Sequence, residues 1–124
     1  MAQLSPNRRV LVVDDNADAA DLVAAFMAFQ GFEVAVAHGG AEAVETAKAF
    51  SPNLIFLDLG MPVMDGYQVA SALRGADWFP RARIVALTAW GDQASRERAA
   101  GCSFDAHLVK PAQLTSLLEQ VELC

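Results

Sequence analysis

The sequence predicts an α/β fold, an open parallel sheet carrying helices on both faces. Apolar runs of strand length alternate with helical patterns five times along the 124 residues, the pattern of successive βα units joined by right-handed crossovers. The runs at 10–13, 54–57 and 84–87 are almost wholly apolar, as strands buried on both faces are. Four of the runs also end in a chemically useful residue: Asp14–Asp15, Asp58, Thr88 and Lys110–Pro111. The carboxyl ends of parallel strands in such sheets converge on one crevice, where these folds place their ligands.

The elements follow in order. Strand 1 spans 10–13. The next helix spans 17–30, with Leu22, Val23, Phe26 and Phe29 at helical spacing. Asn16 is its N-cap, because a short polar side chain satisfies an orphan N–H of the first turn. Gly31 stands where a left-handed residue stops a helix. Strand 2, at 33–37, is more mixed in composition and suits a sheet edge. His38–Gly39–Gly40 turns into a helix at 41–49, which Ser51–Pro52–Asn53 breaks before strand 3 at 54–57. A longer loop at 58–65 holds Gly60 and Pro62, and a helix at 66–74 ends at Gly75. Strand 4 is 84–87, followed by a short polar helix at 93–100 that Gly101 ends. Strand 5 is 106–109 and the last helix is 112–123. These five units use the whole chain as one domain with an ordered core at about 8–123. There is no linker, repeat or low-complexity segment.

Composition narrows the function. A chain that is 54% hydrophobic and 19% charged supports a real core and is not disordered. The formal net charge of −6 argues against nucleic-acid binding by this domain, since phosphate backbones need a basic face. It fits a protein partner or a hydrated cation. No apolar run reaches the roughly 18–20 residues that span a bilayer, and residues 1–9 do not lead into a signal peptide. The location expected is cytoplasmic, with no membrane insertion. Cys102 and Cys124 have neither metal spacing nor the look of a disulfide framework; two free thiols are expected.

The strand-end residues then acquire a context. Val10–Leu11–Val12–Val13–Asp14–Asp15–Asn16 is followed by Leu57–Asp58–Leu59–Gly60–Met61–Pro62–Val63–Met64–Asp65–Gly66, by Leu87–Thr88–Ala89, and by Leu108–Val109–Lys110–Pro111. Taken singly, the acidic pair reads as a solvated loop, Asp58 as a turn cap, Thr88 as a strand-end hydroxyl and Lys110 as surface solvation. In this order, each closing a strand, they resemble the receiver domains of two-component response regulators, over essentially the whole chain. The resemblance implies a flavodoxin-like fold, a doubly wound five-stranded parallel sheet of order 2-1-3-4-5. It implies a phosphoacceptor switch in a phosphorelay, which takes a phosphoryl group from a histidine on a sensor kinase or histidine phosphotransfer domain. Such a module phosphorylates and dephosphorylates itself and is not otherwise an enzyme. Altered surface on the 93–100 helix, strand 5 and the last helix would then carry the signal, and a phosphorylation-dependent homodimer is one expected consequence.

The chemistry assigns roles within that resemblance. Asp58 is the nucleophile, whose carboxylate displaces a phosphohistidine imidazole and becomes an acyl phosphate. Phosphoryl transfer needs chiefly positioning and charge neutralisation. Mg²⁺ (or Mn²⁺) prefers octahedral oxygen ligands; Asp15, Asp58 and the backbone carbonyl of Gly60 would ligate it directly, and Asp14 through a water. Asp14, Asp15 and Asp58 carry three negative charges, and one Mg²⁺ with Lys110 restores neutrality. At about 4 Å and an effective dielectric near 20, each like-charge pair costs about 4 kcal/mol. Once Asp58 is phosphorylated, Lys110 pairs with one phosphoryl oxygen and the Thr88 hydroxyl donates to another. Thr88 moves to do so, and this shifts a pre-existing equilibrium.

Several positions depart from the commonest receiver pattern. His107 stands where a Tyr or Phe is usual, and is either a modified switch residue or permanently outward. Gly60 and Trp90 flank the line of water attack in the family and should set the acyl-phosphate lifetime. Lys110–Pro111 is a candidate cis bond. His38 reads as a surface residue, Met61–Pro62 as loop architecture, and Trp78–Phe79 as loop packing. Two rival classes fit the sequence less well. A Mg²⁺-dependent phosphatase with an aspartyl-phosphate intermediate would carry a second Asp two residues after the nucleophile, where this chain has Gly60, and a cap insertion. A flavodoxin-like ligand-binding module would need a phosphate-cradling first loop, where this chain has Asp14–Asp15–Asn16. Lacking an output domain, the chain reads as a stand-alone regulator or a receiver excised from a larger protein such as a hybrid histidine kinase.

Overall fold

Strands form where the apolar runs stand: β1 (Arg9–Val13), β2 (Glu33–Ala37), β3 (Leu54–Asp58), β4 (Arg83–Thr88) and β5 (Ala106–Val109). Between and after them lie α1 (Ala17–Phe29), α2 (Gly40–Phe50), α3 (Gly66–Arg74) and α4 (Leu114–Glu122). This computed structural model describes residues 8–59, 66–77, 82–88, 104–109 and 113–122; the helix expected at 93–100 lies outside them. All pairings are parallel, in the order β2-β1-β3-β4-β5. The predicted flavodoxin-like topology is therefore the observed one.

The pleat sorts the strand residues onto two faces, because successive side chains point opposite ways. Leu11, Val13, Ile55, Leu57 and Ile84 pack against Ala43 and Ala47 of α2 and Val69, Ala70 and Leu73 of α3. Val10, Val12, Leu54, Phe56, Val85 and Leu87 pack against Ala20 and Met27 of α1 and Leu117 and Val121 of α4. The central strands feed both cores, so their sequences are apolar at every position. β2 is only partly buried and forms one edge, as its mixed composition predicts.

The helix expected at 17–30 is α1, and packing decides which of its faces is buried. Leu22, Val23, Phe26 and Phe29 mark the helix by their spacing, but they do not form its buried face: Leu22 is 62% and Phe29 88% exposed. The buried stripe is Ala20 and Met27, flanked by the half-buried Val23, Ala24 and Phe26. α1 is apolar nearly all round (ADAADLVAAFMAF), so periodicity alone does not fix its rotation. Small alanines let the helix approach the sheet, and that packing sets the phase.

The ends of the helices are built as the sequence predicts. The Asn16 side chain accepts from the Ala19 N–H at 3.1 Å, and Gly31 has a φ of +99°. α2 stops at Ser51, a left-handed residue at φ 52°, whose N–H donates to the Ala47 carbonyl. A Cβ in this region is strained and a glycine is not. Ser51→Gly should therefore raise the urea midpoint, by about 0.5–1 kcal/mol of stability once glycine's greater freedom in the unfolded chain is deducted.

Side chains lock the sheet end opposite the strand carboxyl termini. Asn53 Oδ1 accepts from the Arg9 N–H at 2.8 Å, while Arg9 pairs with Glu33 at 2.8 Å and donates to the Phe50 carbonyl. Asp105 Oδ2 accepts from the Ile84 N–H at 2.7 Å and from Arg74 at 2.8 Å. The second clamp fixes the register of edge strand β5, where a one-residue slip would invert every side chain.

Candidate functional site

The strand order reverses at β1, which has β2 on one side and β3 on the other. Such a switch point opens a crevice beyond the strand carboxyl ends. Val13 and Leu57 are register partners across β1 and β3. Asp14, the residue after Val13, and Asp58, the last residue of β3, thus leave adjacent strand ends at that crevice.

Backbone bonds hold Asp14 and the chain just beyond Asp58. The Asp14 N–H donates to the Ala37 carbonyl at 3.1 Å, extending the β1–β2 contact past the strand end. Asp14 Oδ1 accepts from the Asn16 N–H at 3.0 Å, an Asx-type turn that leads directly into α1. Beyond Asp58, the Leu59 N–H donates to the Leu87 carbonyl at 3.0 Å, continuing the β3–β4 ladder. Asp14 is 2% and Asp58 6% exposed, whereas Asp15 faces solvent.

Asp14, Asp15 and Asp58 each offer a carboxylate oxygen within 4.8 Å of the other two. For the buried pair, ionised carboxylates at that spacing repel by about 3.5 kcal/mol at an effective dielectric near 20; water screens the share that falls on Asp15. Three hard oxygen donors with this charge fit a small divalent cation of the Mg²⁺ or Ca²⁺ type, and none is a soft donor that would select a thiophilic metal. The cluster could hold such an ion.

The remaining residues singled out by sequence fall as follows. Thr88 closes β4, its backbone in register with Val109 of β5, one pair beyond Leu87–Leu108. It therefore ends at the same edge of the sheet as Asp58, which is the register partner of Leu87. His107 lies within β5 opposite Ala86. The Thr88 hydroxyl and the His107 ring are outside the described atoms. Gly60, the Met61–Pro62 loop, Trp78–Phe79, Trp90, Lys110 and the Lys110–Pro111 bond are outside the described residues, as are Cys102 and Cys124. His38 is exposed, as expected, and its N–H donates to Glu42 Oε1 at 3.0 Å. The sequence predicts Asn16 as a helix cap, and the structure adds that its N–H also holds Asp14. The Asp-x-Asn spacing carried that signal, since an Asp side chain commonly accepts from the N–H two residues on. Among the described residues no helix is long and apolar enough to cross a membrane.

Comparison with known proteins agrees with this geometry. Residues 10–122 match the family model of the response regulator receiver domain. The transcriptional regulatory protein PrrA of Mycobacterium tuberculosis is 39% identical over 114 residues, 92% of this chain and 48% of PrrA. The chain thus spans about half the length of that relative. The chemotaxis protein CheY of Bacillus subtilis is 36% identical over 114 residues, 91% of this chain and 93% of CheY. Among solved structures, a response regulator from Burkholderia pseudomallei, with a phosphorylated aspartic acid, a calcium ion and citrate, superposes with a TM-score of 0.84. It shares 31% identity and covers 93% of this chain and 66% of its own. The chain belongs to the response regulator receiver domains, and it is a phosphoacceptor signalling module of the two-component type.

Proposed function

We propose that Asp58 is the phosphoacceptor, and that it works beside a Mg²⁺ or Mn²⁺ ion held by Asp15, Asp58 and the Gly60 carbonyl, with Asp14 acting through water. The observation that carries this is the buried Asp58 carboxylate at the end of β3, within 4.8 Å of both Asp14 and Asp15. The phosphorylated aspartate and calcium ion of the Burkholderia regulator support it by likeness.

The donor is a phosphohistidine on a sensor kinase or histidine phosphotransfer domain. An Asp58 oxygen forms a bond to phosphorus, the phosphorus–nitrogen bond breaks, and the imidazole leaves with that electron pair. A bound divalent cation supplies charge neutralisation for the incoming phosphoryl oxygens. Asp14, pinned by the Ala37 carbonyl and the Asn16 N–H, holds one wall of the site. Backbone bonding at Leu59 fixes the direction from which Asp58 emerges. Lys110 and Thr88 contact the phosphoryl group, and His107 is the candidate to couple Thr88 movement to β5. The output surface is the 93–100 segment with β5 and α4, and a homodimer through it is one form the output takes. The module works in the cytoplasm, contacts protein rather than nucleic acid, and turns over nothing beyond its own phosphoryl group.

Incubation with a small acyl phosphate tests this, read by intact mass. With Mg²⁺ the protein should gain one phosphoryl group, and with excess chelator none. Steady turnover of a phosphomonoester would instead revive the phosphatase reading. Metal binding has its own readout. At about ten times its dissociation constant a ligand of the folded state stabilises by about 1.4 kcal/mol. For a domain of this length that raises the melting temperature by roughly 3–6 °C. Asp15→Asn should lose most of that rise.

A further inference from the structure

We propose that Asn16 is a positioning residue for the cation, linking metal loading to the order of the first turn of α1. The inference rests on the metal reading above and concerns a residue that is not one of the ligands. Of the three clustered carboxylates, Asp14 and Asp58 are buried, and backbone bonds at Asp14 and at Leu59 hold them from both sides of the crevice. Asp15 is exposed, so burial does not fix its carboxylate. Its backbone is held from its two neighbours. On one side Asp14 bonds to Ala37 and accepts from the Asn16 N–H. On the other, Asn16 is fixed at φ −84°, ψ 106° by its side chain, which accepts from the Ala19 N–H at 3.1 Å.

Asn16 therefore closes two adjoining rings, one through its N–H to Asp14 and one through its side chain to Ala19, and Asp15 is the residue between the anchored ends. The Ala20 N–H to Asn16 carbonyl bond, at 3.0 Å, begins the helix proper. If the side-chain cap is lost, the N–H contact to Asp14 is still available. Asn16 then regains backbone freedom, and the Asp15 carboxylate samples positions away from Asp14 and Asp58. Binding must restore that order, which weakens affinity. Residues that orient metal ligands typically contribute 10–100-fold to binding; one cap on an exposed ligand belongs at the low end. Linkage is reciprocal, so an ion that fixes Asp15 also steadies the first helical turn.

The test uses the full chain as wild type, Asn16→Ala, Asn16→Ser and Asp15→Asn, titrated with Mg²⁺ alone. Binding is read by calorimetry, and amide hydrogen exchange at Ala19 and Ala20 is followed with and without the ion. Melting temperature in chelator separately reports what each substitution does to the fold. Asn16→Ala should bind Mg²⁺ about tenfold more weakly. Asn16→Ser, which keeps a capping oxygen, should return to within about twofold. In the wild type Mg²⁺ should slow exchange at Ala19 and Ala20, and in Asn16→Ala much less. Wild-type affinity in Asn16→Ala, beside a lowered melting temperature, makes the cap structural only and overturns the proposal. So does weak binding that Asn16→Ser does not rescue. Undiminished binding by Asp15→Asn is a different result: it contradicts the ligand set itself rather than the role of Asn16.

Discussion

Asp58→Asn should remain folded and accept phosphoryl groups at least about 10³-fold more slowly than wild type, the scale on which removing a nucleophile from an otherwise intact site acts. The amide is nearly isosteric with the carboxylate, and Asp58 is 6% exposed at the end of a strand whose pairing to β1 and β4 is made by backbone. Shape and sheet register therefore survive. What goes is the anionic oxygen proposed to attack phosphorus, since an amide oxygen carries only the partial negative charge that the nitrogen lone pair lends it. Asp14→Asn and Asp15→Asn form the contrast. They keep the nucleophile and weaken neutralisation, so phosphorylation should slow and become dependent on higher Mg²⁺ rather than disappear. Single-turnover rates with a small acyl phosphate, across a range of Mg²⁺ concentrations, separate the two patterns. Phosphorylation of Asp58→Asn at the wild-type rate would remove Asp58 from its role.

Phe56→Ala should cost about 3–5 kcal/mol of stability, the range for emptying a buried aromatic site. Phe56 is fully buried on the central strand β3, within the core formed with α1 and α4. That core includes Val10, Val12, Leu54 and Val85 from the strands, Met27 from α1 and Leu117 from α4. Residues on three strands and two helices cannot all relax into one hole, which places the cost toward the upper part of the range. Native domains hold only about 5–15 kcal/mol in total, so much of the population can unfold at moderate temperature. Urea denaturation followed by circular dichroism reads the loss as a lower midpoint. Leu22→Ala, on the exposed face of α1, should shift that midpoint little, within about 0.5 kcal/mol. A large loss there would contradict this rotation of α1 and put Leu22 in the core.

The contrast between Phe56 and Leu22 shows where the sequence was legible. β1, β3 and β4 lie between two cores, so their runs are apolar at consecutive positions and stand out. Their ends were less distinct. The sequence places Asp58 just after strand 3, since carboxylates are depleted in strands, yet its pairing with Leu87 keeps it in the ladder. The same extension brings Arg83 and Thr88 into β4. α1 could be bounded, by Asn16 and Gly31, but not rotated, since its apolar residues ring the helix and only packing on the sheet chooses a face. The acidic cluster was legible as a set of strand-end carboxylates. Its closeness depends on β1 and β3 being neighbours, a fact of strand order that spacing in the chain does not carry and that the family resemblance supplied. The clamps by Asn53 and Asp105 were missed because each joins segments distant in sequence through one side-chain oxygen to a backbone N–H.

Of the three clustered acids, the Asp58 carboxylate is the one proposed to receive the phosphoryl group. Borohydride trapping tests it most directly. The protein is phosphorylated with Mg²⁺ and a small acyl phosphate, then treated with borohydride, which reduces an aspartyl phosphate to homoserine, and the modified residue is located by peptide mass spectrometry. Homoserine at position 58, and at neither 14 nor 15, is the predicted result. Homoserine at 14 or 15, or a stable phosphoryl group on a hydroxyl or imidazole with position 58 unmodified, would contradict it.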